Sequence, residues 1–218
     1  MNDSDGLCGD SSQGSKVFIG AQAACALARD CAVLQFHGNN SSKQVLAHCS
    51  TRKHAARDRA IVLFSFLAGL RAKEIAALTQ ANVTDEAGNV REEFTLSPQQ
   101  TKGRKARRVF VNARLQRELA LYLKHTKFRA ICPALFQSQK GAAFSANTMC
   151  QLLLRIYDEA GLADATSHSG RRTFITNLAA KGIGVRVLAE LAAHSSIATT
   201  QRYIDVNDEQ LRAAVELS

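Results

Sequence analysis

Leu191-Ala192-Ala193-His194-Ser195-Ser196-Ile197-Ala198-Thr199-Thr200-Gln201-Arg202-Tyr203 is the most informative stretch of this chain. It sets a histidine nine residues before a tyrosine, close to the end of a 218-residue sequence. Upstream lies Thr166-Ser167-His168-Ser169-Gly170-Arg171-Arg172-Thr173-Phe174, with a histidine and an arginine three apart. Earlier still, Gly69-Leu70-Arg71-Ala72-Lys73-Glu74-Ile75 holds a second arginine with a carboxylate three residues on. Between these segments, Thr101-Lys102-Gly103-Arg104-Lys105 reads as a basic hairpin turn.

Two arginines, two histidines, a lysine and a tyrosine form a kit for attacking a phosphodiester without a metal. That reaction needs a nucleophile in line with the leaving oxygen. It needs cationic donors on the non-bridging oxygens, where charge develops. It also needs a proton donor for the departing 5′-oxygen. Arginine suits the second task because it stays charged and grips two phosphate oxygens at once; Arg71 and Arg171 are the candidates. Glu74, one helical step from Arg71, can hold an arginine or histidine in place. Alone, each of these is ordinary: Arg71 and Glu74 would be a surface pair, and Tyr203 a core tyrosine with a satisfied hydroxyl.

Charge agrees with a polyanionic partner. Lys+Arg 28 against Asp+Glu 19 gives a net +9 and a pI near 9.5, and phosphate neutralisation supplies most non-specific affinity for nucleic acid. The six cysteines show no C-x-x-C pair, and no Cys/His set has zinc-ligand spacing. Asp3, Asp5 and Asp10 stand where a secretory signal needs cations. The expectation is a cytoplasmic protein with reduced thiols and no metal, nucleoid-associated when on DNA. Val17–Phe36 is apolar but broken by Arg29 and Asp30, so it reads as an amphipathic helix and not a membrane span.

The predicted fold class is mainly α with a small antiparallel β-sheet (α+β). Residues 1–42 are expected to form a disordered tail plus a short helix, closed by a polar break at His37–Ser42. The main domain is placed at 43–218. Arg57–Leu70 reads as an apolar helix capped by Gly69, followed by a helix over about 72–78. Strands are expected around Phe94 and Leu96 and at Val109–Val111, with Pro98 marking an edge or a bulge. Leu115, Leu119, Leu121 and Leu123 fit one later helix, and Asn147 caps the next. Gly161 and Gly182 read as helix ends, and Asn207 with Gln210 as a capping box for a last helix over 208–217.

In this order and spacing the motifs resemble the catalytic domain of the tyrosine recombinases, the phage integrase family, over about residues 55–210. The resemblance implies Tyr203 as nucleophile, Arg71, His168, Arg171 and His194 as its catalytic companions, and Glu74 as support. It implies Lys102 as general acid, with Lys105 a rival three residues away. Arg104, Lys105, Arg107, Arg108 and Arg172 are expected on the DNA backbone. Two positions depart from the family pattern. Gly170 stands where leucine is frequent, which would loosen the local helix. Ala193 stands where glycine is typical; if that backbone needs a positive φ, alanine carries roughly 1 kcal/mol or more of strain.

The activity implied is site-specific DNA strand exchange through a 3′-phosphotyrosyl bond, with no cofactor, metal or ATP. The implied partners are double-stranded DNA and, on it, a homo-tetramer; free protein would be a monomer or weak oligomer, away from membranes. Family members usually carry a further helical domain ahead of the catalytic one. The first 50 or so residues are too few for it, which leaves a compact family member or a catalytic fragment. A DNA-binding accessory protein that cuts poorly and a type IB topoisomerase are the competing readings.

Overall fold

The computed structural model describes residues 39–101, 103–129, 131–203 and 215–216. The helix expected over 17–36, Lys102 and most of the last helix lie outside the described residues.

Two helices open the described fold: α1 (Asn39–Thr51) and α2 (Ala55–Leu67). The sequence reading put a polar break where α1 begins. The helix forms there because Val45, Leu46 and Cys49, at helical spacing, bury themselves against α2. Helix α2 is the centre of the domain. Ile61 to Phe66 are all buried, so this helix is covered on every side. Phe64 meets Phe94 and Phe136 edge-on at 6.4 and 6.0 Å, and Phe66 meets Tyr157 at 6.3 Å. Asp58, 1% exposed, is held between Arg52 and Arg57, each 2.8 Å away.

Gly69, at φ +60°, ends this helix as expected and turns the chain into α3 (Ala72–Ala76). A β-carbon at Gly69 would stand 2.5 Å from the Phe174 ring, so the residue answers to both φ and space. A short α4 (Gln80–Val83), not anticipated, follows; the Thr79 and Asn82 side chains cap it reciprocally.

Strands β1 (Glu93–Leu96) and β2 (Arg107–Phe110) pair antiparallel, with Phe94 opposite Val109 and Leu96 opposite Arg107. Pro98 lies just beyond β1 in a two-stranded sheet, where both strands are edges. Alternation is strict: Phe94, Leu96, Arg107 and Val109 face inward.

Five further helices follow among the described residues: α5 (Ala113–His125), α6 (Ala146–Glu159), α7 (Ser169–Ala180), α8 (Val185–Leu191) and the short α9 (Ile197–Gln201). In α5 the buried set is Leu115, Leu119 and Tyr122; Leu121 is 52% exposed. The i, i+4, i+7 stripe selects the tyrosine, whose hydroxyl donates to the Leu135 carbonyl at 2.8 Å. Ser145, not Asn147, caps α6, accepting from the Thr148 amide at 3.1 Å.

Gly170 lies in the first turn of α7, close against α2: a β-carbon there would lie 2.5 Å from Oγ of Ser65. Among the described residues no helix is long and apolar enough to cross a membrane.

Candidate active site

The site forms where three chain reversals meet: the end of α2, the start of α7 and the end of α8. Arg71 is the N-cap of α3. Its amide donates to Oε2 of Glu74 at 2.8 Å and its Nη1 to Oε1 at 2.9 Å. Glu74 is fully buried, and its Oε2 also accepts from Nη1 of Arg107 at 2.6 Å. One carboxylate thus grips two guanidinium groups.

Helix α8 ends in a Schellman motif. The Ala193 amide donates to the Glu190 carbonyl and the His194 amide to the Ala189 carbonyl, both at 2.9 Å. Ala193 takes the left-handed position at φ +46°, so the condition posed by the sequence is met: this alanine sits where glycine is favoured.

The three carbonyls at this end lack helical partners. Each is taken by a different arginine. Arg107 Nη2 donates to Leu191 at 2.7 Å, Arg171 Nη2 to Ala192, and Arg71 Nη2 to Ala193 at 3.5 Å. Arg171 Nη1 also donates to the Gly69 carbonyl at 2.5 Å. Three cations from three elements are therefore fixed on consecutive peptide groups, and the next residue is His194.

His194 is half-buried, with Nδ1 2.8 Å from Oγ1 of the buried Thr200. Its ring stacks on Tyr203 at a centroid distance of 6.2 Å and an interplanar angle of 29°. Ser196 is the N-cap of α9, with no side-chain capping bond, and Tyr203 follows the C-cap Arg202. His168 is the exposed N-cap of α7, while Arg171, three residues on, is 5% exposed.

The electrostatics are those of a site short of negative charge. Burial, with Arg71 and Arg107 nearby, pushes Arg171 down to about 9, still charged at neutral pH. Burial lowers Arg107 against the pull of Glu74. Burial and the charges of Arg171, Arg71 and Arg107 push His194 down to about 4, so its imidazole is neutral at pH 7. A guanidinium has five N–H donors; the bonds above engage two each on Arg71 and Arg171. The arrangement is built to receive an anion.

The structure brings Arg71, Glu74, Arg171, His194 and Tyr203 together. It corrects Arg107, expected on the DNA backbone: the side chain is 4% exposed and points inward to Glu74. The signal was present. Arg107 shares parity with Val109 and Val111, so a period of two puts it on the core face. Arg104 and Lys105 are exposed in the connection between β1 and β2, and Lys102 is outside the described residues. Arg108 is exposed, pairing with Glu93 at 3.3 Å and lying over the Phe110 ring. Arg172 is half-buried.

A mainly helical domain with this small sheet has the fold of tyrosine recombinase catalytic domains. It aligns with the crystal structure of XerA recombinase at a TM-score of 0.65 and 24% identity, covering 83% of this chain and 63% of that one. It aligns with the catalytic domain of bacteriophage HP1 integrase at 0.53 and 22%, covering 82% and 92%. The chain belongs to the phage integrase family, whose model matches residues 37–210. Its relatives include the tyrosine recombinase XerA of Pyrococcus horikoshii, 31% identical over 163 residues, 73% of this chain and 54% of the relative. XerC of Methylobacterium sp. is 34% identical over 164 residues, 74% and 49% respectively. The chain spans about half the length of these curated relatives.

Proposed function

We propose that this chain is the catalytic unit of a site-specific DNA recombinase that cuts and rejoins strands through a 3′-phosphotyrosyl bond. The observation that carries the reading is the convergence of Arg71, Arg171 and His194 on one peptide turn beside Tyr203.

The tyrosine oxygen attacks the phosphorus, and the bond to the 5′-oxygen breaks. Arg71 and Arg171 hold the non-bridging oxygens as negative charge grows. Each is already locked by a backbone carbonyl, so little reorganisation is needed. In this mechanism Thr200 is assigned to donate to Nδ1 of His194, 2.8 Å away, which puts the imidazole proton on Nε2, available to the phosphate. His168 is assigned to accept the phenol proton. Lys102 is assigned to protonate the 5′-oxygen, with Lys105 as its rival. A 5′-hydroxyl from a partner duplex reverses the step and exchanges strands. Double-stranded DNA and a tetramer of this chain are the proposed partners; metal, cofactor and ATP are not required by this chemistry.

Strand exchange is tested on supercoiled plasmids carrying two copies of the DNA that flanks its gene. Joined or excised products support the recombinase. Relaxation without joined products supports topoisomerase-like action. DNA retention in a gel shift without any cutting supports an accessory protein.

A further inference from the structure

We infer that Arg107 is a positioning residue for the active site, setting Arg71 through Glu74 and setting the turn before His194 through the Leu191 carbonyl. The inference rests on the proposed function, since it assigns Arg107 a part in the same site.

Arg107 is the first residue of β2, opposite Leu96, the last residue of β1. It therefore stands at the base of the hairpin that carries the basic turn. From there its Nη1 reaches Oε2 of Glu74 at 2.6 Å and its Nη2 the Leu191 carbonyl at 2.7 Å. The same Nη2 lies 3.4 and 3.5 Å from the carbonyls of Ala68 and Gly69. One planar group thus joins the hairpin, the end of α2, the start of α3 and the end of α8. Glu74 passes the constraint to Arg71 along a second short bond of 2.9 Å. Leu191 passes it along three residues of chain to His194.

A purely stabilising role fits the site poorly. The guanidinium is almost wholly buried, and its Nε has no hydrogen-bond partner. Buried ion pairs of this kind are often no better for stability than apolar residues of the same volume. What an apolar side chain could not supply is the simultaneous hold on Glu74 and on a helix-end carbonyl. Lysine keeps the charge but has one nitrogen, so it cannot span both with the same geometry. Near-attack alignment is sensitive to displacements of about 1 Å, worth on the order of a hundredfold in rate.

The test uses the full chain, with Arg107→Met, Arg107→Lys, Glu74→Gln and the double variant Arg107→Met/Glu74→Gln. Three quantities are measured: duplex affinity, single-turnover formation of the covalent adduct on a nicked duplex, and the melting temperature. The expected result for Arg107→Met is affinity within about threefold of wild type and adduct formation slowed on the order of a hundredfold. Arg107→Lys should recover part of that rate. Glu74→Gln should absorb much of the Arg107→Met effect, because both act on Arg71 along one path. The double variant also removes the orphaned buried carboxylate, so it reports on rate where Arg107→Met alone folds poorly. A double variant that melts like wild type yet cuts within threefold of it would overturn the inference. So would additive effects of the two substitutions.

A readout independent of cutting separates this inference from the functional reading. The His194 imidazole, followed by NMR in free protein, titrates below its ordinary value in wild type, partly through the charge of Arg107. Arg107→Lys keeps that charge and loses the two-point hold, so its His194 ring resonances and titration should still differ from wild type. A folded Arg107→Lys protein whose His194 resonances and titration match wild type would contradict the inference whatever the protein does to DNA.

Discussion

Nδ1 of His194 lies 2.8 Å from Oγ1 of Thr200, and this bond ties the turn after α8 to the helix that leads into Tyr203. Thr200 is completely buried, so its hydroxyl has little choice of partner. The pair holds the imidazole in place beside the tyrosine.

Thr200→Val keeps the shape of the side chain and removes that hydroxyl. We expect adduct formation to slow by roughly tenfold to a hundredfold, the range of a mispositioned proton donor. Duplex affinity should stay within about threefold. Single-turnover kinetics beside a gel shift separates the two.

The depressed His194 has a defined consequence for pH. Its folded value, about 4, lies below the ordinary histidine value of 6.5. The unfolded chain therefore binds the proton more readily, and stability rises with pH between these values. The contribution is complete above about 6.5 and is lost as pH falls through about 4. Melting curves of wild type and His194→Gln from pH 7 down to 4 should converge as acid is added. Binding of duplex should raise the His194 value, because phosphate offsets Arg71 and Arg171.

Ala193 holds φ +46° at the helix end just before His194. Ala193→Gly should stabilise the protein by about 0.5–1 kcal/mol, the strain of an L-residue in this region less the added freedom of the unfolded chain. A rise of a few degrees in melting temperature, with cutting as fast as wild type or faster, is expected. Ala193→Val should move both in the opposite direction.

Gly170→Leu would place a branched side chain where even a β-carbon lies 2.5 Å from Ser65 Oγ and 3.1 Å from the Phe66 ring. A cost of about 1–3 kcal/mol follows from overpacking against α2. Denaturant unfolding should show it, and Ser65→Gly in the same chain should recover part of the loss.

How much of this was legible in the sequence depends on what encodes each part. Arg71, Arg171, His194 and Tyr203 sit in compact motifs, and the helices that carry them have clear glycine ends such as Gly69. Arg107 was hidden because it stands in a run of cations, Arg104, Lys105, Arg107 and Arg108, that reads as one exposed face. Only its parity with Val109 marks it as inward, and only the fold supplies its partner, Glu74, 33 residues earlier. Helix α1 was missed because Asn39–Ser42 is polar. Its helicity comes from packing on α2, which local composition does not report. The exchange of Leu121 for Tyr122 in the core has the same origin: four leucines suggested a stripe, but the stripe follows position and not residue type.

The central claim is that Tyr203 is the nucleophile. Its most direct test is an SDS-resistant adduct between this protein and a nicked duplex drawn from DNA flanking its gene, followed by mass spectrometry of the linked peptide. The account predicts an adduct whose phosphate is on Tyr203 and which disappears in Tyr203→Phe. An adduct that persists in Tyr203→Phe, or a protein that binds the duplex tightly and never becomes linked to it, would contradict the account.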